Sequence, residues 1–142
     1  KASSAIPFVC KPYFINGTPY YDGALADPVP IKKAFELGCE KVILILTLPE
    51  DTVRKPDKDI KLADRIRKEY PLAAEKLKKR AAQYNAGVEL ARDYQAQGKL
   101  LIVAPDDTCG VSTLSREADA LRKLYQKGYC DAEKISLFLA QQ

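Results

Sequence analysis

Lys41-Val42-Ile43-Leu44-Ile45-Leu46-Thr47-Leu48 is a run of β-branched residues and leucines with no apolar–polar alternation. A strand with one face in water alternates; a continuous apolar run suits a strand covered on both faces, as in a parallel sheet. A second such run, Leu100 to Ala104, follows Gly98 and stops at Pro105. Between the two lie a charged loop from Pro49 to Asp59, a short helix around Ile60 to Glu69 and a long helix opened by Pro71. Along the long helix, Leu77, Ala81, Tyr84, Val88 and Ala91 recur at steps of three and four, which marks one apolar stripe. The order strand, helices, strand predicts a right-handed crossover in a parallel sheet, and hence an α/β fold. Two strands do not make a self-sufficient sheet, so further strands are expected from sequence preceding Lys1.

Upstream, aromatic and β-branched residues flank Asn16-Gly17, the dipeptide suited to the positive φ angles of a tight turn. A hairpin of Tyr13 to Ile15 against Pro19 to Tyr21 is predicted. Asp22-Gly23-Ala24 follows as a turn. Then comes Asp27-Pro28-Val29-Pro30, where Asp27 is placed to cap a helix that runs to Leu37 and stops at Gly38. Downstream, Ser115 is placed to cap a helix with Ala118, Leu121, Leu124 and Tyr125 inward, and Ile135, Phe138 and Leu139 extend the stripe. Gly128 either divides two helices or sits within one at a cost of about 1 kcal/mol relative to Ala.

The chain has 142 residues, 46% of them hydrophobic, enough for one domain with a sizeable core. The absence of Met and the opening Lys1-Ala2-Ser3-Ser4 give the expectation of a fragment. No apolar stretch is long enough to span a bilayer and no signal-peptide pattern opens the chain, so a cytoplasmic protein is expected. Charge is well mixed, 23 basic against 19 acidic residues. The densest basic stretch, Lys76 to Arg80, reads as a solvated helix face, and no nucleic-acid partner is expected. Cys10, Cys39, Cys109 and Cys130 lack any C-x-x-C spacing, so neither zinc nor a redox motif is implied, and they read as buried packing thiols. With no histidine at all, histidine catalysis within this chain is excluded. Asp106-Asp107 reads as a solvated loop pair; no metal and no cofactor is expected, and no G-x-G-x-x-G follows a strand.

Asp22 lies at the end of the hairpin, flanked by Gly23, which leaves the carboxylate accessible. Alone this is a weak signal, since Asp-Gly after a strand is usually a plain turn. Its surroundings form an ordered series: Ala2-Ser3-Ser4-Ala5-Ile6-Pro7, Tyr21-Asp22-Gly23-Ala24, Asp27-Pro28-Val29-Pro30, Glu36-Leu37-Gly38, then the strand at Lys41. That series resembles the C-terminal portion of bacterial patatin-like phospholipases. Tyr84-Asn85-Ala86-Gly87 and the stretch from Leu100 to Tyr129 resemble the C-terminal extension of one subgroup.

The resemblance implies a partial three-layer α/β/α fold with a largely parallel sheet, followed by C-terminal helices. It divides the chain at about residue 50: 1–50 as the C-terminal part of a hydrolase domain, 51–142 as an extension. In that family a serine in G-x-S-x-G attacks an acyl ester and the aspartate of D-G-[AG] is its sole partner. Asp22 is the matching aspartate, with Gly23 and Ala24 as motif support. Such general-base help is typically worth about 10²–10⁴ in rate. The serine elbow is absent, because Gly110-Val111-Ser112-Thr113-Leu114 lacks the second glycine, and no glycine-rich oxyanion loop is present. The isolated chain is therefore expected to be inactive. Its expected partners are the N-terminal part of the same hydrolase domain and a lipid or acyl-ester substrate, with membrane contact, where it occurs, only peripheral. The competing reading is a non-catalytic ligand-binding or interaction domain in which the D-G-A turn is structural.

Overall fold

The computed structural model describes residues 1–6, 10–112 and 115–140. Its elements are β1 (Tyr13–Ile15), β2 (Thr18–Tyr20), α1 (Ile31–Glu36), β3 (Val42–Ile45), α2 (Asp57–Ile66), α3 (Pro71–Ala96), β4 (Leu100–Val103), α4 (Ala118–Asp131) and α5 (Glu133–Ala140), with 3₁₀ turns at Ala2–Ser4 and Gly23–Leu25. The chain is thus α/β with two small sheets, β1–β2 and β3–β4. It groups into two compact units, one of residues 1–30 and 54–87, the other of residues 31–53 and 88–142.

In the first unit the hairpin pairs Tyr13 with Tyr20 and Ile15 with Thr18. Asn16 and Gly17 both take positive φ, 51° and 79°, the geometry a two-residue hairpin turn demands. The turn closes on its immediate neighbours, so the second strand begins at Thr18, one residue earlier than predicted. Tyr21 falls outside the ladder and meets Tyr70 edge to face, ring centroids 5.5 Å apart. Helix α2 begins three residues ahead of expectation, because Asp57 and Asp59 favour a helix N-terminus. It stops short of Glu69 because Tyr70 precedes Pro71, which disfavours helical geometry at the residue before it.

Leu25, Ala63, Ile66, Ala74 and Leu77 form the core of this unit. Asp59 is buried beneath Arg80, whose Nε donates to Oδ2 at 3.0 Å while Nη2 donates to Oδ1. Lys78 pairs with Asp64 and Lys79 with Glu75, so much of the basic stretch is neutralised by neighbouring carboxylates. The predicted stripe holds along all of α3: Leu77, Ala81, Tyr84, Val88 and Ala91 are all buried.

In the second unit, α1 starts only at Ile31, so Asp27 is not its cap. Pro28 and Pro30 each push the preceding residue out of helical geometry, and a helix can begin only beyond them. Gly38, at φ 88°, ends the segment as expected. Strands β3 and β4 pair in parallel, Val42 with Leu100 through Ile45 with Val103. β4 is nearly enclosed, but β3 is not covered on both faces: Val42, Ile43 and Leu44 are half-buried and Ile45 is 68% exposed. A two-stranded sheet gives β3 only one neighbour, which leaves part of its apolar run in water.

The C-terminal helices depart from expectation at the cap and on the apolar face, and they settle the alternatives left open at Gly128. Ser115 does not cap α4, because its Oγ accepts from Ser112 N at 2.8 Å; the cap position is Glu117 and makes no side-chain bond. Gly128 lies inside α4 and the interruption comes at Ala132, before Glu133, an acid suited to a new helix N-terminus. Ala118, Leu121, Tyr125 and Leu139 are exposed; Leu124 and Ile135 are half-buried, and Phe138 is buried. The carbonyl of Phe138 accepts from Lys41 Nζ at 2.9 Å.

Candidate functional site

The turn at Asp22 is built from both sides. Ala5, buried after the first 3₁₀ turn, accepts a hydrogen bond from Asp22 N at 3.0 Å, and the Asp22 carbonyl accepts from Leu25 N at 3.1 Å. Asp22 Oδ1 accepts from Ala24 N at 2.8 Å, capping the turn Gly23–Leu25, while Leu25 inserts into the core. These bonds fix the backbone on both sides of the carboxylate. Asp22 is half-buried, and Oδ2 makes no hydrogen bond among the described residues. One oxygen is thus committed to local structure and the other is available to an outside donor.

Gly23 has an ordinary φ, and a Cβ there would meet nothing within 4 Å. Its flank is open among the described residues, while its carbonyl accepts from Ala26 N at 2.9 Å and Asp27 N at 3.0 Å. Ser3 and Ser4 lie exposed in the first 3₁₀ turn, so the support for Asp22 passes through the Ala5 backbone and not through their hydroxyls. Pro7 lies outside the described residues, as do Thr113 and Leu114.

The segment Tyr84-Asn85-Ala86-Gly87 forms a clamp on the middle of α3. The Arg54 guanidinium stacks over Tyr84, 3.7 Å from the ring centroid. Asn85 pins the backbone of Arg54 from both directions: Oδ1 accepts from its N–H at 2.9 Å and Nδ2 donates to its carbonyl at 3.0 Å. At Gly87 the Val29 side chain comes so close that a Cβ would lie 2.7 Å from Val29 Cβ. Sequence reasoning singled out the four-residue segment but not Arg54 or Val29 as its partners. The isolated glycine within a helical pattern was the one available signal of a close approach.

The cysteines are free, and they are not the buried thiols expected: Cys10, Cys39 and Cys130 are exposed and Cys109 is partly covered. Burial is the main cause that pushes the Cys109 thiol up from its ordinary range, with Asp107 adding to it. Asp106 and Asp107 are exposed, as expected of a solvated loop pair. Both face Lys127, and its hydrogen bond to Asp106 holds that carboxyl below the usual range.

Residues 1–35 match the family model of the patatin-like phospholipases, and residues 70–139 match that of a domain of unknown function, DUF6363. The first match contains the whole Asp22 turn; the second contains Tyr84 to Gly87, β4, α4 and all but the last residue of α5. Each covers less than half of the chain. No curated protein and no solved structure matches. The short N-terminal match links this end of the chain to a family of lipid hydrolases. Among the described residues no helix is long and apolar enough to cross a membrane.

Proposed function

We propose that residues 1–50 are the aspartate-bearing part of a patatin-like serine acyl hydrolase, and that residues 51–142 are an extension of it. In this reading Asp22 takes the proton from a serine supplied by the N-terminal part of the same hydrolase domain, and Gly23 and Ala24 keep the approach clear. The substrate is a lipid or acyl ester, and the protein works in the cytoplasm with at most peripheral membrane contact. The observation that carries the reading is the coincidence of the patatin-like match with a half-buried carboxylate held from both sides with one oxygen unengaged. The exposed apolar end of β3 also supports it, since a larger parallel sheet would cover Ile45.

Asp22→Asn tests it in the complete hydrolase. Asparagine preserves the cap through its own side-chain oxygen, so the turn and the melting temperature should stay as they are. Hydrolysis of a chromogenic short-chain ester should fall by about 10² or more, the scale of lost general-base help. Activity near wild type would remove Asp22 from the chemistry. The 142-residue chain by itself should show no turnover.

A second reading, a non-catalytic interaction domain, is favoured by one observation: Oδ1 is already committed to capping the turn. The two readings diverge at Asp22→Ala. A structural aspartate predicts a loss of stability of about 1 kcal/mol with no catalytic consequence.

A further inference from the structure

In an open α/β sheet the loops leaving the carboxyl ends of parallel strands diverge, and the crevice between them is where ligands bind. Here the chain leaving β3 at Leu46 and the chain leaving β4 at Val103 open over Leu124 and Gly128 of α4 and Ile135 of α5, lining a half-open apolar cavity of about 190 Å³. An apolar cavity of about 150 Å³ suffices to hold benzene, so a chain of about six carbons fits.

One wall is not apolar. Asp131 lines the cavity, and its Oδ2 is buried without a hydrogen-bond partner. A carboxylate oxygen can only accept, and one left bare away from water is costly, so the missing component is a donor.

The adjoining polar recess shares Ala104, Pro105 and Asp131 with the cavity and decides the charge of that donor. Its cations are largely committed: Arg92 bonds Glu50 and Glu89, and Lys127 bonds Asp106 and Asp107. Among the described residues Asp51 and Asp131 have no hydrogen-bonded partner, although Asp51 also faces Arg92 and Asp131 also faces Lys127. The lining as a whole carries four carboxylates, Glu50, Asp51, Asp106 and Asp131, against three cations, Arg92, Lys127 and Lys134, which leaves a negative excess.

We propose that this cavity binds a short-chain amphiphile that presents an ammonium group to Asp131. The inference makes no use of Asp22; it concerns the 142-residue chain, in which Ile45 at the cavity edge is exposed.

Calorimetric titration of the 142-residue chain with n-hexylammonium, n-butylammonium, hexan-1-ol and hexanoate tests it. Hexylammonium should saturate, and should bind about 15-fold more tightly than butylammonium, the gain expected from burying two further methylenes. Hexanoate should bind at least about tenfold more weakly than hexylammonium, since it brings no donor and adds a like charge. Asp131→Asn should lower hexylammonium to the level of hexan-1-ol and leave hexan-1-ol within about twofold of wild type, because the amide oxygen still accepts but no longer carries charge.

Gly128→Leu tests the location, because a side chain there starts from a Cβ that meets nothing within 4 Å. It should abolish binding of both amine and alcohol without lowering the melting temperature, since leucine favours a helix interior over glycine. Absence of saturation with hexylammonium, equal binding of hexanoate, or amine binding that survives Gly128→Leu would each overturn the proposal.

Discussion

The two sheets of this chain are of similar size and opposite character. In the hairpin β1–β2 every residue is exposed, Phe14 at 62%, and its form follows from two adjacent residues able to take positive φ. In the parallel pair β3–β4 the partners are 58 residues apart in sequence, and β4 is nearly enclosed. No turn dictates that pairing. It exists because an apolar run has to leave water, and α3 carries the chain back to where a second run lies beside the first. A local code therefore makes one sheet and burial makes the other, and substitutions should separate the two.

The largest effect is expected where burial acts alone. Leu100 is among the most completely buried side chains, at 1% exposure. Leu100→Ala should cost about 3–4 kcal/mol, from lost transfer energy plus the cavity left behind. Urea denaturation followed by circular dichroism would measure it. A cost below about 1 kcal/mol would mean that β4 is not the core strand described here.

Gly87→Ala asks whether a contact distant in sequence can outweigh local preference. Alanine is the better helix former by about 1 kcal/mol, so propensity alone predicts stabilisation. Against that stands the Cβ placed 2.7 Å from Val29 Cβ, an atom close to the backbone that cannot swing aside. Overpacking costs about 1–3 kcal/mol, and a contact this short belongs at the upper end, leaving a net loss of about 1–2 kcal/mol. A gain in stability would show that the Val29 segment moves away freely.

At the hairpin the same kind of change should act locally. Gly17 has φ 79° and open space around it, so Gly17→Ala meets no clash and loses only backbone ease, about 1 kcal/mol. Hydrogen exchange should speed up at the hairpin amides and stay unchanged at Ile102 and Val103. A global loss of stability would mean that the hairpin is as integrated as the parallel pair.

What the sequence made legible follows the same division. Features with a local cause were readable: the Asn16-Gly17 turn, the stop at Gly38, the opening of α3 at Pro71 and its apolar stripe from Leu77 to Ala91. The start of α1 was misread because Asp27 satisfies a capping rule while two prolines forbid the helix it would cap. The inward face of α4 was misread because Leu121 and Tyr125 hold helical spacing and yet stay exposed. At the candidate site the turn at Asp22-Gly23 was legible, and the capping of Ala24 N by Asp22 follows the ordinary habit of Asp-Gly turns. The partners of the Tyr84–Gly87 clamp were not legible, since Arg54 and Val29 lie 31 and 58 residues away from the residues they meet. Nor was Asp131, which reads as one more polar helix residue until the ends of β3 and β4 are seen to open beside it.

The smallest expected effect, and the one confined to the hairpin's exit, is a pH dependence. The Tyr70 phenol is pushed up to about 12 from an ordinary 10.0, first by hydrogen bonding to Glu69 and then to Tyr21, the residue that leaves the hairpin. A raised value means that the folded chain holds this proton more tightly than the unfolded chain does. Its contribution is therefore fully present below pH 10 and is lost as pH rises through about 12. Tyr70 is solvent-accessible, so the change in stability should be small, but its position on the pH axis is diagnostic. Tyr70→Phe retains the ring that meets Tyr21 and removes the titrating group, and it should flatten the stability profile between pH 10 and 12 while leaving neutral-pH stability nearly unchanged. An unaltered alkaline slope in that variant would assign the transition to another group and detach Tyr70 from the end of the hairpin.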